Sequence, residues 1–167
     1  MLSLTRKTDY ALAALVDLAK KEPNTASARD LAERLNVPQR ALTNTLNQLT
    51  HSGLIESVRG AGGGYRLARH PAQINLAALI EAVEGPISLT RCCAEEPDAT
   101  GKICERMPSC EVRESIHRLH ERLMLFLSQV TLHEIASTPA NNTEPTISPS
   151  VPVPSEGHAD QETKPAF

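Results

Sequence analysis

A fixed order of helix and strand signals in the first half of the chain limits the folds that it can adopt. The sequence from Ser27 to Asp30 has the shape of a capping box, with Asp in place of Glu, and the apolar residues around it recur at helical spacing. Asn36 is a suitable left-handed helix end, and Pro38 suits the first turn of a further helix that stops at Gly53. Two short helices joined by a tight turn form a helix-turn-helix.

A strand-like pair follows these helices directly. Residues 54–59 and 65–69 have strand character, and the glycine-rich stretch from Gly60 to Gly64 predicts a flexible tip between them. We therefore expect a mainly α fold: a winged helix-turn-helix of three helices plus a β-hairpin wing, extended by a long C-terminal dimerisation helix. A phosphate-binding nucleotide loop is disfavoured, because no GK[ST] sequence and no helix follow the glycines.

The outer face of the second helix of the pair carries uncharged hydrogen-bonding side chains and one arginine, the residue types that contact base edges in a major groove. Arg59, at the base of the glycine tip, and Arg66, on the returning strand, are placed to meet phosphates or a narrow minor groove. A solvated helix face without a ligand and a winged helix that binds only proteins are the alternatives. The candidate DNA-binding residues are Ser27, Gln39, Arg40, Thr43, Asn44, Asn47, Arg59, Gly60 and Arg66.

The charge is unevenly distributed along the chain. Residues 1–70 carry ten Lys/Arg and six Asp/Glu (+4), residues 71–137 carry six and ten (−4), and the rest carries one and four (−3), which gives the net charge of −3. A basic N-terminal region favours a polyanion such as double-stranded DNA and argues against a winged helix that binds only proteins. No signal segment opens the chain and no apolar run reaches membrane-spanning length, so we expect a cytoplasmic protein without a membrane partner.

Three further helices are predicted around this unit. The first covers residues 5–20, and the fourth begins at the capping residue Asn75 and ends at Gly85. A fifth is expected over residues 109–136, and its apolar residues alternate steps of four and three, which favours pairing with the same helix of a second chain over packing on its own domain. In the first helix the residues that recur at helical spacing are Leu12, Leu15, Val16 and Ala19, and the repeat of the fifth is Val112, Ile116, Leu119, Leu123, Phe126 and Val130.

These signals divide the chain into four consecutive parts. Residues 1–85 form a winged-helix unit, residues 86–110 a cysteine segment, residues 109–137 the dimerisation helix and residues 138–167 a tail. The tail holds six of the twelve prolines and has no apolar period, so it is predicted to be disordered.

All four cysteines lie in the cysteine segment, between residues 92 and 110. This stretch contains Pro and Gly but few apolar residues, so packing does not explain its cysteines. Thiolates are soft ligands that suit zinc, copper(I) and iron–sulfur clusters. In a cytosolic protein, clustered cysteines are more often metal-binding or redox-active than paired in disulfides. We therefore interpret this segment as a sensor that controls the winged-helix unit.

Three short stretches resemble one family. Residues 4–11, residues 58–65 of the wing and Leu89-Thr-Arg-Cys92 are similar to the Rrf2 (Rrf-two) family of bacterial winged-helix regulators, which includes the iron–sulfur regulator IscR, the nitric-oxide sensor NsrR and regulators of the SUF cluster-assembly system. The resemblance covers roughly residues 1–136. It implies a homodimer that binds a palindromic operator and, as in many members, an iron–sulfur cluster held by three cysteines.

The resemblance also implies a ligand set. Cys104 and Cys110 match the spacing of the second and third cluster cysteines, and the context of Cys92 resembles that of the first, although the adjacent Cys93 leaves open which of the two is the ligand. The first gap is eleven residues here and five in IscR. The IscR histidine position is Arg113, whereas Asp9 matches the aspartate that NsrR-like members supply from the partner subunit; Asp9 also suits the first turn of a helix for its dipole alone.

We therefore expect a DNA-binding repressor whose operator binding is controlled by an iron–sulfur cluster, [4Fe–4S] rather than [2Fe–2S], that senses cluster or iron supply, nitric oxide or redox state. A zinc-dependent or thiol-redox regulator is the alternative, although zinc sites usually show paired C-x₂₋₄-C spacing. An enzyme with a nucleophilic cysteine is disfavoured, since no histidine is fixed near a cysteine by sequence, and we expect no small-molecule substrate. The zinc donors would be Cys92 or Cys93, Cys104 and Cys110 with His117 or His120.

Overall fold

The computed structural model describes residues 4–20, 25–60, 62–94, 104 and 109–138. These residues form a mostly helical winged helix, as predicted, and none of their helices is long and apolar enough to cross a membrane. The helices are α1 (Arg6–Lys20), α2 (Ala28–Leu35), α3 (Gln39–His51), α4 (Leu76–Glu84), α5 (Arg113–Gln129) and α6 (Leu132–Ser137); the strands are β1 (Ile55–Val58) and β2 (Gly64–Leu67). Single 3₁₀ turns lie at Pro71–Gln73 and Arg91–Cys93.

The turn between α2 and α3 follows the predicted signals. The Ser27 hydroxyl accepts from the backbone N–H of Asp30 at 3.1 Å and begins α2. Asn36 ends α2 in the left-handed conformation with φ of 51°, and its N–H bonds to the carbonyl oxygens of the last turn. Pro38 then precedes α3, whose inner face buries Leu42, Thr45, Leu46 and Leu49. The helix-turn-helix is thus fixed by local capping and by one apolar stripe.

The wing is a two-stranded antiparallel hairpin. Val58 pairs with Gly64 and Ile55 with Leu67, and Tyr65 also exchanges two backbone hydrogen bonds with Ala26, of 3.1 and 2.8 Å. Gly64 is needed for this second pairing, because a Cβ atom there would overlap the carbonyl oxygen of Ala26. The hairpin is therefore tied to the chain that leads into α2, which holds the wing beside the helix-turn-helix.

Helix α1 lies at the centre of the core, and its apolar repeat packs there together with alanines that the repeat did not include. Its fully buried residues are Ala11, Ala14 and Leu15, with Leu18 nearly so, while Leu12, Val16 and Ala19 are only partly buried. Because α1 packs against α3, α4 and α6, small alanines are placed where the helices approach most closely.

The C-terminal helix is not continuous as predicted. Val130 adopts an extended conformation, and Thr131 and Glu134 form a capping box that begins α6. At this break the chain pairs with the residues before α4: Leu76 N–H donates to the Val130 carbonyl at 2.9 Å, and Leu132 N–H donates to that of Ile74 at 2.8 Å. The pairing turns α6 back onto α1, where Leu132 is buried.

Helix α4 connects the winged-helix unit to the cysteine segment. Asn75 caps it and Gly85, with φ of 86°, ends it, as predicted. Its last residue, Glu84, accepts hydrogen bonds from the side chains of Thr5 and Thr8 and from the backbone N–H of Thr5 at 3.1 Å. These hydroxyl groups hold the pKa of the Glu84 carboxyl below its ordinary value. The start of α1 is thus fixed to the end of α4. The predicted tail, beyond Thr138, lies outside the described residues.

Candidate nucleic-acid interface and metal centre

The polar face of α3 is exposed along its length. Gln39, Arg40, Asn44 and Asn47 are all exposed, whereas Thr43 is half-buried and its hydroxyl donates to the Gln39 carbonyl at 2.9 Å. An exposed helix with amide side chains along one face has the shape and the chemistry to enter a major groove and bind base edges. The hydroxyl of Thr43 donates within the helix, so its methyl group and the acceptor lone pairs of its oxygen are left for a base contact.

The wing residues have unequal surroundings. Arg59 follows β1, is exposed, and has no hydrogen-bonding partner among the described residues. Gly60 is exposed with φ of 115°, a conformation that favours glycine. Arg66 on β2 instead forms an ion pair of 2.5 Å with Glu56 on β1. Arg59 is therefore the wing cation that is free to meet a phosphate, while Arg66 would have to exchange a partner.

Ser27 has a structural role that is visible in its contacts. Its hydroxyl caps α2 and also donates to the Asp30 carboxylate at 2.7 Å, an interaction that lowers the pKa of that carboxyl. A DNA contact by Ser27 would compete with this capping pair.

A groove between α1 and α3 adds residues that sequence reasoning missed. It has a volume of about 580 Å³ and is lined by Arg6, Lys7 and Tyr10 on α1 together with Asn44 and Asn47 on α3. Arg6 and Lys7 contribute to the excess of basic residues in the N-terminal region of the sequence. Only the packing of α1 against α3 shows that they lie beside the polar face of α3. They are suited to contact the phosphates that flank a base-reading helix.

Two of the four cysteines meet a histidine of α5. The 3₁₀ turn Arg91–Cys93 carries Cys92 and Cys93, and the ligand atoms of both and of His117 all lie within 4.8 Å of one another. Cys93 is buried and Cys92 is half-buried. The hydroxyl oxygen of Thr90 lies 3.0 Å from the Cys92 sulfur and 3.5 Å from the Cys93 sulfur. This is the group of potential metal ligands that the described part of the chain assembles.

The histidines of α5 provide unsatisfied nitrogens at this position. Nε2 of His117 and Nδ1 of His120 are buried and have no hydrogen-bonding partner among the described residues. A buried polar atom without a partner costs free energy, and such atoms are rare in folded proteins. An imidazole nitrogen in this state can be satisfied by a metal ion.

The other predicted ligands lie apart from this group. Cys104 and Cys110 are half-buried, and the residues that lead to them, 95–103 and 105–108, are outside the described part of the chain. Asp9 is exposed in the first turn of α1. Of the five predicted ligands, the structure therefore brings together Cys92 and Cys93, and it adds His117, which sequence reasoning named only for a zinc site.

A cleft adjoins the cysteine group. Its volume is about 520 Å³, and Cys93, His120, Met124 and Glu81 are among its lining residues. The cleft lies between α4, α5 and the start of the cysteine segment, so a small molecule could approach the buried thiol of Cys93 from this side.

One face of α5 is both apolar and exposed. Val112 just before the helix, Leu119 and Phe126 recur every seven residues and are 61, 55 and 60% exposed. Ile116 and Leu123, from the same predicted repeat, are partly buried, and Leu123 packs against the core. The repeat is thus shared between the helix's own domain and an apolar stripe that the described residues of the single chain leave exposed.

Comparison with known proteins finds similarity to transcriptional regulators in sequence and in structure. The Rrf2 family model, described as "Iron-dependent Transcriptional regulator", matches residues 4–138. The HTH-type transcriptional regulator NsrR of Geobacillus kaustophilus is 33% identical over 135 residues, 80% of this chain and 89% of NsrR. IscR of Serratia proteamaculans is 32% identical over 135 residues, 80% of this chain and 79% of IscR. The structure of CymR, the global cysteine regulator of B. subtilis, matches with a TM-score of 0.63 at 30% identity, covering 82% of this chain and 98% of CymR.

Proposed function

The chain belongs to the Rrf2 family of transcriptional regulators, and from this premise we propose that it is a repressor that binds a palindromic operator as a homodimer, under the control of an iron–sulfur cluster. Its relatives are transcriptional regulators, which confirms the expectation that the chain is not an enzyme.

The exposed face of α3 is the observation that carries the DNA-binding assignment. Asparagine and glutamine amides can pair with an adenine edge, and Asn44 and Asn47 are exposed for such a contact. Arg6 and Lys7 beside this face, and Arg59 in the wing, supply the positive charges that phosphates require. The chain thus has separate groups for reading bases and for holding the backbone.

The exposed stripe on α5 supports the homodimer. Leu119 and Phe126 would be covered by the same stripe of a second chain, since a two-fold axis places identical surfaces against each other. A two-fold dimer carries two copies of α3, which matches an operator with two inverted half-sites.

The donor chemistry of the cysteine segment fits an iron–sulfur cluster. Thiolates are the usual cluster ligands, and Cys92 and Cys93 lie together beside His117, where a bound group could reach a thiolate. We propose that one of the two adjacent cysteines, with Cys92 preferred, holds the cluster with Cys104 and Cys110. Asp9 of the partner subunit is the proposed fourth ligand. A bound [4Fe–4S] cluster would supply a group that responds to iron supply, nitric oxide or redox state.

The position of these ligands suits control of DNA binding. The cysteine segment lies between α4, which is fixed to the start of α1 by Glu84, and α5, which carries the exposed stripe. A ligand that holds the segment in one arrangement can therefore favour one position of the winged-helix unit relative to the dimer surface. By linkage, ligand binding that favours one arrangement of the dimer shifts the population toward it.

Anaerobic reconstitution tests the cluster. We expect the wild type to bind iron and sulfide with visible absorbance, and Cys104→Ser and Cys110→Ser to lose both. Of Cys92→Ser and Cys93→Ser, one should abolish binding and the other should be nearly silent. Asp9→Ala should form a cluster that is lost faster in air, because three thiolates still hold it. Full iron and sulfide in Cys104→Ser and Cys110→Ser would refute the cluster.

A thiol-redox regulator is the second candidate, favoured by the adjacent Cys92 and Cys93 and by the similarity to CymR, a global cysteine regulator. In that case, operator binding by the iron-free protein should change on mild oxidation and recover with a thiol reductant. The same reconstituted and iron-free samples separate the two candidates in a gel shift on genomic fragments.

A further inference from the structure

We propose that Cys92, Cys93 and His117 form a mononuclear metal site for a thiophilic, tetrahedral divalent cation, with Zn²⁺ as the preferred ion, when the protein holds no iron–sulfur cluster. The inference deepens the proposed sensor, since the cluster would use one of the two adjacent cysteines that this site uses, but its ligand set is different. Cys104, Cys110 and Asp9 play no part in it.

The compactness of the group points to a single ion. A tetrahedral zinc ion with bonds of about 2.3 Å to sulfur and about 2.0 Å to nitrogen keeps its donor atoms roughly 3.3–3.8 Å apart. The donor atoms of Cys92, Cys93 and His117 already lie within 4.8 Å of one another, so small side-chain movements bring them to these distances. Binding would place both adjacent sulfurs on one ion, whereas the proposed cluster needs only one of them.

The surroundings compensate for a bound cation. Two thiolates balance the two positive charges of the ion, which lets the buried Cys93 ionise without leaving net charge in the interior. The Thr90 hydroxyl, 3.0 Å from the Cys92 sulfur and 3.5 Å from that of Cys93, can donate to either thiolate and orient it. One ring nitrogen of His117 lies within 4.8 Å of both sulfurs, and Nε2 of this ring is buried without a hydrogen-bonding partner among the described residues.

Three protein donors leave the fourth position open. Zinc sites with three protein ligands bind water or another small ligand there. The cleft of about 520 Å³ lined by Cys93 and His120 provides room for such a ligand next to the site. Occupation of this site would withdraw Cys92 from the cluster, so the two bound states would exclude each other.

Cobalt(II) is a direct probe, because tetrahedral thiolate coordination gives it intense charge-transfer and visible bands that zinc lacks. The full-length protein would be reduced, stripped of iron by a chelator and titrated with Co²⁺ under nitrogen, and then with Zn²⁺. We expect one cobalt ion per chain, bands typical of a tetrahedral site with two thiolates, and loss of these bands when zinc displaces cobalt.

Substitutions of the proposed ligands should affect cobalt binding and cluster binding differently. Cys92→Ser, Cys93→Ser and His117→Ala should each weaken cobalt binding by more than about 100-fold, beyond the 10- to 100-fold typical of losing an outer partner. Cys104→Ser, Cys110→Ser and the control His133→Ala, at an exposed histidine of α6, should bind cobalt like the wild type. His117→Gln repeats the test with a larger side chain, and circular dichroism confirms that each variant is folded.

Iron and sulfide incorporation by the same variants keeps this inference distinct from the proposed function. The cluster should depend on Cys104 and Cys110 and survive in His117→Ala. Cobalt bands that persist in His117→Ala and His117→Gln, or that disappear in Cys104→Ser, would overturn the mononuclear site whatever the cluster does. A chain that binds cobalt through Cys92, Cys93 and His117 but never incorporates iron and sulfide would retain the mononuclear site and lose the cluster.

Discussion

In the winged-helix unit, the base-reading side chains are carried by a helix that nearby residues fix in place, whereas Cys92, Cys93 and His117 come together from separate parts of the chain. Asn44 is held by α3, which follows a capped turn and buries its own apolar stripe. His117 reaches Cys92 and Cys93 only because α5 packs against α4 and the 3₁₀ turn. The first region has its geometry without a ligand, and the second has unpaired donors that a ligand would complete.

This difference suggests a division of roles. A base-reading surface must keep its shape in every state of the regulator, so it is supported by capping, core packing and strand pairing. A sensor must change with its ligand, so part of its stability has to come from binding. Variants of the winged-helix unit should therefore alter DNA binding whether or not the cysteine segment holds a bound group. Variants of the cysteine segment should alter DNA binding only by changing whether that group is bound.

The largest effect is expected from Gly64→Ala in the wing. The added Cβ would overlap the backbone carbonyl of Ala26, which cannot rotate away as a side chain could, so the pairing between Ala26 and Tyr65 would open. We expect a loss of about 3 kcal/mol in the free energy of unfolding, measured with urea, and loss of operator binding.

Two measurements connect this variant to the comparison of the regions. Ser57→Ala on the exposed side of β1 is the control and should change stability by less than about 0.5 kcal/mol. Metal and cluster content per folded chain should match the wild type in both variants. A Gly64→Ala protein that binds the operator normally but loses its cluster would contradict the independence of the two regions.

A somewhat smaller effect is expected from Leu119→Asp on the exposed stripe of α5. A carboxylate in an apolar two-fold interface would face its own copy, so sedimentation should show monomers, and operator affinity should fall about 100-fold, or about 2.7 kcal/mol. Leu125→Asp is the matched control: Leu125 is 59% exposed on the same helix but lies about 120° around it from Leu119. A wild type that is monomeric at micromolar concentration would rule out the homodimer.

The same contrast explains what could be predicted from the sequence. The ends of α2, α3 and α4 and the wing follow from residues that act on their immediate neighbours, such as Ser27, Asn36, Asn75 and Gly85. The exposed polar face of α3 follows from helical periodicity alone. These features are local, and each was predicted within one or two residues.

Features that depend on packing were predicted less well. The buried face of α1 is set by three partners, which a single helical period does not describe. The break before α6 had a local signal, the capping box of Thr131 and Glu134, but the apolar repeat continued through Val130 and favoured one long helix. No sequence pattern links His117 to Cys93, because more than twenty residues separate them.

Within the winged-helix unit, variants of a base-reading residue and of a backbone-contacting residue should weaken operator binding in different ways, each by a moderate amount of binding free energy. Asn44→Ala should lose about 1–3 kcal/mol of binding free energy at particular base pairs and little elsewhere, since an amide pairs with one base edge. Arg59→Ala should instead weaken binding to all sequences alike and reduce the slope of log K against log salt by about 1. Competition binding with single-substituted operators at several salt concentrations measures both. Equal losses on every operator for the two variants would contradict α3 as the reading helix.

The smallest effect is expected where the two regions join, at Glu84. Its carboxylate accepts from Thr5 and Thr8, so Glu84→Gln keeps the side-chain shape but removes the charge that these donors stabilise. Because the pKa of Glu84 is lowered in the folded chain, this contribution is present above the ordinary value of 4.5 and is lost as pH falls through the lowered value. Urea unfolding should therefore show Glu84→Gln less stable at neutral pH by at most about 1 kcal/mol, because solvent screens this exposed carboxylate, with the difference from wild type shrinking below pH 4.5. A difference that is constant from neutral to acidic pH would show that the charge is not what fixes α1 to α4. If the carboxylate also transmits the state of the cysteine segment to α1, Glu84→Gln should narrow the gap in operator affinity between the loaded and the iron-free protein, whereas Glu33→Gln on the exposed surface of α2 should leave that gap unchanged.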